Sequence, residues 1–178
     1  MPKPAPSGHG TLRNCLHPAV VPDPKLTREG NLRLACIAGQ GWPADPLLIA
    51  AEVRRLAAAQ GGSPYGAVQI LLAGAPDDEA PQAWECHVGC AVTGMPKPGG
   101  VTASGERMMI EDYRNLIALT LVHHGPVRLL GQTWRRLADH GKALGHRLRP
   151  YWRVRLRRTQ LADGNLLPAA EVAVFLDP

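Results

Sequence analysis

The chain has 178 residues, 45% hydrophobic and 20% charged, with a formal net charge of +5 and a pI near 9.3. A single domain of this length buries roughly 70% of the surface its unfolded chain exposes, so a real core is expected and a wholly disordered chain is excluded. No run approaches ~18 consecutive apolar residues, so no membrane-spanning helix is expected, and the opening stretch Met1 to Gly10 has no apolar run of signal-peptide length, which makes the cytoplasm the expected location.

The charge is uneven. Residues 1–122 hold 10 Lys/Arg against 11 Asp/Glu, whereas residues 123–178 hold 10 Lys/Arg against Asp139, Asp163, Glu171 and Asp177. The whole basic excess sits in the last third, which suits either a solubilising surface or an anionic partner. The four cysteines, Cys15, Cys36, Cys86 and Cys90, form no C-x-x-C pair. Cys86-His87-x-x-Cys90 resembles a metal site only superficially. On a strand the two thiols lie ~13 Å apart on one face and His87 points to the other. One zinc ion cannot reach all three, so buried free thiols are expected, with no metal and no cofactor.

Taken in order, residues 1–30 carry six of the 17 prolines and no apolar periodicity, and read as a poorly ordered, extended arm, with Leu12, Leu16, Val20 and Val21 available to touch the body. Leu32 to Ala38 reads as a strand, stopped by Gly39-Gln40-Gly41. Asp45 and Pro46 open a helix from Leu47 to Gln60, ended by Gly61-Gly62. Its apolar residues Leu47, Leu48, Ala51, Val53, Leu56 and Ala58 fall on neighbouring helical rows. Ala67 to Ala73 and Ala83 to Val92 read as strands around a Pro76 to Glu79 turn, and Met95 to Gly100 breaks the chain.

The same order then repeats. Leu116 to His123 is a β-rich run broken by Gly125-Pro126, and residues 126–144 form an amphipathic helix with Val127, Leu130, Trp134, Leu137, Ala138, Gly141 and Leu144 at helical spacing. Tyr151 to Leu161 follows as a strand in which Trp152, Val154 and Leu156 alternate with Arg153, Arg155 and Arg157. Asp163-Gly164-Asn165 turns, and Glu171 to Leu176 closes as a last strand. Two strand–helix–strand–strand units imply a tandem duplication of α+β type with a shared seam, repeat one over about 31–105 and repeat two over about 106–178.

Leu119-Thr-Leu-Val-His-His-Gly125-Pro126, the helix with Leu129, Trp134 and Leu137, and the closing Glu171-Val172-Ala173-Val174 resemble the GyrI-like, or AraC-type effector-binding, small-molecule-binding domains. Trp84-Glu85-x-x-Val88-Gly89-x-Ala91-Val92 and Pro96 to Val101 resemble that family's third strand and its exit. The resemblance covers residues 31–178. It implies paired repeats about a pseudo-dyad with a ligand cleft between them, and multidrug-type binding of hydrophobic, often cationic, compounds. Some members of that family are fused to DNA-binding modules, one kind inhibits gyrase, and some hydrolyse electrophilic compounds. Residues 1–30 are too short for a DNA-binding module, so the expectation is a stand-alone member. Three of the family's aromatic positions hold Val127, Ala173 and, near its usual tyrosine, Arg155, which argues against a full aromatic cage.

Glu171 is the sharpest site candidate. A carboxylate in an otherwise apolar strand must face solvent, pair with a base or meet a cationic ligand. The family implies the ligand; the arginine row supplies the base. Trp84, Trp134 and Trp152 are the large flat surfaces available either to the core or to the cleft, with Trp84 and Trp152 read as lying on corresponding strands. Tyr65, Tyr113 and Tyr151 lie beside loops, where they would line its rim. His123-His124 closes a strand beside the Gly-Pro turn and reads as a cap rather than a general base, and no triad with a Ser or Cys nucleophile can be assembled from spacing. Arg153, Arg155, Arg157 and Arg158 read as a solvated face, or as the contact for nucleic acid or an acidic protein. The expectation is a monomer or homodimer that binds a small hydrophobic or aromatic molecule, by sensing, transcription-related regulation or sequestration. The alternative is a hydrolase of electrophilic compounds that uses Glu171 and cleft aromatics.

Overall fold

The computed structural model describes residues 22–76, 81–156 and 169–177. The elements run β1 (Lys25–Gln40), α1 (Pro46–Ala59), β2 (Gly62–Ala73), β3 (Glu85–Gly94), β4 (Met109–His123), α2 (Leu130–Ala143), β5 (Leu148–Leu156) and β6 (Ala170–Leu176). Six antiparallel strands close on themselves in the order β1-β3-β2-β5-β6-β4. Each repeat contributes the same local order, β1-β3-β2 and β4-β6-β5. The seams are β1 against β4 and β2 against β5. The duplicated α+β architecture read from the sequence is therefore present.

The alternation of β5 sorts the two faces of the sheet. Trp152, Val154 and Leu156 join Ile70, Leu72, Val88, Val172 and Val174 in the core under the helices. Arg153 and Arg155 point to the interior with Ala173 and Phe175 of β6. α2 buries Leu130, Trp134, Leu137, Ala138 and Gly141, close to the expected stripe. α1 departs from its expected stripe. It buries Ala50, Val53, Leu56 and Ala57, while Leu47 and Leu48 are exposed. The reason is local: Pro46 occupies the first turn, and the Asp45 carboxylate accepts from the Leu48 N–H at 2.9 Å. That cap fixes the helix phase, and the small alanine face is the one that permits close packing on the sheet.

Several strand boundaries also differ, among them the start of β5, at Leu148 rather than Tyr151. β1 begins at Lys25, so residues 25–30 are not part of an unstructured arm; they pair with Leu116 to Thr120 of β4 and close the sheet. Their charged and small residues hid the pairing. β2 extends back to Gly62 because Gly66, at φ +71°, makes a bulge that takes up the Tyr65/Val68 register shift and admits Pro64. β4 begins at Met109 rather than Leu116. Asn115 adopts φ +51°, a left-handed bend suited to asparagine, opposite the register shifts of β1. Residues 1–21, the turn at 77–79, Arg157, Arg158 and the 163–165 turn lie outside the described residues, as does Cys15. No helix among the described residues is long and apolar enough to cross a membrane.

Candidate functional site

A cleft of about 400 Å³ opens where the repeats meet at β1 and β4. Tyr65, Leu32, Val92 and Tyr113 line it together with the polar Asn31, Arg33, Thr93, Asp112 and Arg114. Its volume falls within the range of small-molecule pockets. Two of the tyrosines expected at a rim, Tyr65 and Tyr113, are therefore brought to one opening. Asp112 is paired there: Arg33 donates to it at 2.7 and 3.1 Å and to the Gly94 carbonyl at 2.5 Å, and Arg114 adds a second cation to the lining. The hydrogen bond to Arg33 holds the Asp112 carboxyl below its ordinary range.

Behind the opening the interior carries an aromatic row. Tyr113 packs at a tilt against Tyr151 with centroids 5.2 Å apart, and Tyr151 likewise against Phe175 at 5.3 Å. The third rim tyrosine, Tyr151, is thus a wall of the interior, its hydroxyl accepting from Arg149 at 2.9 Å. Phe175 is the single phenylalanine of the chain, and it was not singled out from the sequence because its strand reads as uniformly apolar.

Arg153 is wholly buried, contrary to the solvated row expected. Its guanidinium lies 5.4 Å from the Phe175 ring centroid. It donates through both terminal nitrogens to Glu29, each at 2.5 Å. Glu171, also buried, accepts from Arg155 at 2.9 Å and lies 3.6 Å from Arg153. Register explains the pairing, since Arg155 faces Glu171 and Arg153 faces Ala173 across β5 and β6. Two carboxylates and two guanidiniums balance, as a buried ionic group requires. Glu171 is thus paired with bases of the arginine row. Burial alone would raise the Glu29 pKa, but the hydrogen bond and charge of Arg153, with the charge of Arg155, hold it below its ordinary value. Glu29 escaped notice because it lies in the segment read as an arm.

The tryptophans are on the other face. Trp84, Trp134 and Trp152 are buried in the core beneath the helices, and Trp84 meets Trp152 edge-on at 5.7 Å. None of them is among the residues lining the opening; for Trp152 the reason is the β5 alternation, which sends the arginines inward. Nor do Trp84 and Trp152 occupy corresponding strands. Trp84 precedes β3, the counterpart of β6, whereas Trp152 lies in β5, the counterpart of β2.

His123 is a cap, as expected. Its Nδ1 lies 2.8 Å from Thr133 Oγ1 and its Nε2 3.1 Å from the Gly125 carbonyl, tying the end of β4 to α2. Cys36, Cys86 and Cys90 are buried free thiols. A second interior cluster was not foreseen. Glu111 of β4 accepts from Tyr113 at 2.5 Å and lies 2.8 Å from His87 Nδ1. Cys36 lies beside them, the three ligating atoms within 4.8 Å of one another. The Glu111 hydrogen bond raises the His87 pKa, and the same contact lowers that of Glu111. Burial, then the Glu111 charge, push the Cys36 thiol far up.

No family model matches the sequence, and no curated protein is significantly similar to it. Solved structures are similar in fold. The C-terminal domain of EcmrR superposes with a TM-score of 0.62 at 14% identity, over 86% of this chain and 96% of that one. EcmrR in its DNA complex gives 0.65 at 12%, over 87% of this chain and 57% of that one. A hydrolase encoded by lin2189 from Listeria innocua gives 0.59 at 9%, over 86% and 91%. The chain has the GyrI-like fold. At these identities the likeness is one of fold alone, and the site has to be argued from this chain's own residues.

Proposed function

We propose that this domain binds a small, largely apolar, aromatic molecule in the cleft between β1, β2 and β4, and acts by sensing, transcription-related regulation or sequestration rather than by chemistry. The observation that carries this reading is that Tyr65, Leu32, Val92 and Tyr113 stand among the polar side chains of one opening and are backed by Tyr151 and Phe175. Aromatic walls offer apolar area and edge or face contacts to a ring, each pair adding about 0.5–1.5 kcal/mol beyond burial.

The pairing of the carboxylates disfavours a cationic ligand. Glu171 is engaged by Arg155 and Arg153, and Asp112 by Arg33, so a cation would have to displace an arginine before meeting a carboxylate. The same pairing weighs against Glu171 as the water-activating base of a hydrolase, although hydrolases are among the similar structures. A nucleic-acid partner, suggested by the EcmrR–DNA complex and the basic second repeat, finds no contact in Arg153, which is fully buried.

A thermal-shift screen against neutral, cationic and anionic aromatic compounds tests the proposal, followed by product analysis of each stabilising compound. Saturable stabilisation by neutral aromatics without turnover is the expected result. Stabilisation by cations alone, abolished by Glu171→Gln, would restore the carboxylate as the recognition group. Product formation lost in Glu171→Gln would establish the hydrolase instead.

A further inference from the structure

Three adjacent strands place three different donors on one interior patch. Cys36 lies on the central strand β1, His87 on β3 and Glu111 on β4. The strands are pressed together there. Gly89 is the register partner of Cys36, and a Cβ added to it would lie 1.9 Å from the Ala35 carbonyl oxygen. The Cys36 sulfur, a His87 nitrogen and a Glu111 oxygen fall within 4.8 Å of one another. Tetrahedral zinc, with bonds of about 2.0–2.3 Å, sets its ligating atoms roughly 3.3–3.7 Å apart, so small side-chain rotations suffice to admit the ion.

From this geometry we infer that Cys36, His87 and Glu111 form a site for a borderline transition-metal ion of the zinc type. Sulfur and imidazole select against magnesium and calcium, which take oxygen ligands. Three protein ligands leave a fourth position for water or a small ligand. His87 and Glu111 are half-buried, which gives the ion a way in, whereas Cys36 is fully buried at the base. The Tyr113 hydroxyl donates to the second oxygen of Glu111 and orients the carboxylate, the outer-shell role usual around metal ligands. On binding, the Cys36 thiol gives its proton to solvent and its sulfur lone pair to the metal; no electron transfer is involved.

The test uses the full chain, stripped with a chelator and titrated with cobalt(II), then with zinc. The expected result is one cobalt per chain with a sulfur-to-cobalt charge-transfer band that zinc abolishes. Cys36→Ser should remove the band, and His87→Gln, at a half-buried position, should weaken binding at least ~10-fold while leaving the unfolding temperature of the stripped protein within a few degrees. No cobalt binding would overturn the inference. So would a band that survives Cys36→Ser, which would assign the metal to another of the four cysteines. Unchanged affinity in a folded His87→Gln protein would overturn it as well.

Discussion

Arg153 is the position whose loss has the largest calculable consequence. It is wholly buried, makes two 2.5 Å bonds to Glu29, lies 3.6 Å from Glu171 and packs over Phe175. Arg153→Met keeps most of the stem volume but leaves two buried carboxylates to share Arg155, which is 3.7 Å from Glu29 and 2.9 Å from Glu171. Removing one member of a buried ionic set costs about 3–5 kcal/mol, because the partner stays desolvated without compensation. For a chain of this size that corresponds to a fall in Tm of roughly 6–20 °C. Urea unfolding at neutral pH measures it. The double variant Arg153→Met/Glu29→Gln removes the orphaned charge and should recover at least about 1.5 kcal/mol relative to the sum of the two single losses. A cost below about 1 kcal/mol for Arg153→Met, or strictly additive losses in the double variant, would refute the reasoning.

Further outcomes follow from the same structure. Glu29 has a folded pKa below its unfolded value near 4.5, so its contribution is complete above about pH 4.5 and is lost as pH falls through the folded value; Glu29→Gln should flatten that acid limb in pH-dependent unfolding. A chain starting at Asn31 loses both Glu29 and the β1–β4 pairs formed by residues 25–30, and it should unfold at lower urea concentration than one starting at Lys25. Gly89→Ala should destabilise by about 3 kcal/mol or more, since the new methyl meets backbone rather than a movable side chain. Tyr65→Ala, at a half-exposed position, should leave stability within about 0.5 kcal/mol while weakening ligand binding.

The duplicated strand–helix–strand–strand order was legible because both helices carry 3.6-residue patterns and β5 alternates strictly. That same alternation set Trp152, Val154 and Leu156 on the face opposite the arginines, though it left Trp152 open to core or cleft. It left open the environment of the arginines, which a chain that closes its sheet can bury only if acids meet them. Glu29 supplies one of those acids from a segment whose prolines and charges looked unstructured. Glu171 supplies the other, and its partner was among those the sequence offered. The cleft was only partly legible: Tyr65 and Tyr113 were named from their place near loops. Phe175 had no signal of its own, and the Cys36, His87 and Glu111 cluster depends on the register of three strands. The tryptophans drew attention by size, yet strand parity puts Trp152 on the helix side and Trp84 packs against it.

The most direct measurement of the central claim is a calorimetric titration of the most strongly stabilising neutral aromatic compound into wild type, Tyr65→Ala and Tyr113→Ala. The account predicts one site per chain, no turnover, and affinity at least ~5-fold weaker in each variant, the loss of about 1 kcal/mol expected for one aromatic contact. Saturable binding of undiminished affinity in both folded variants would place the ligand elsewhere and contradict the account.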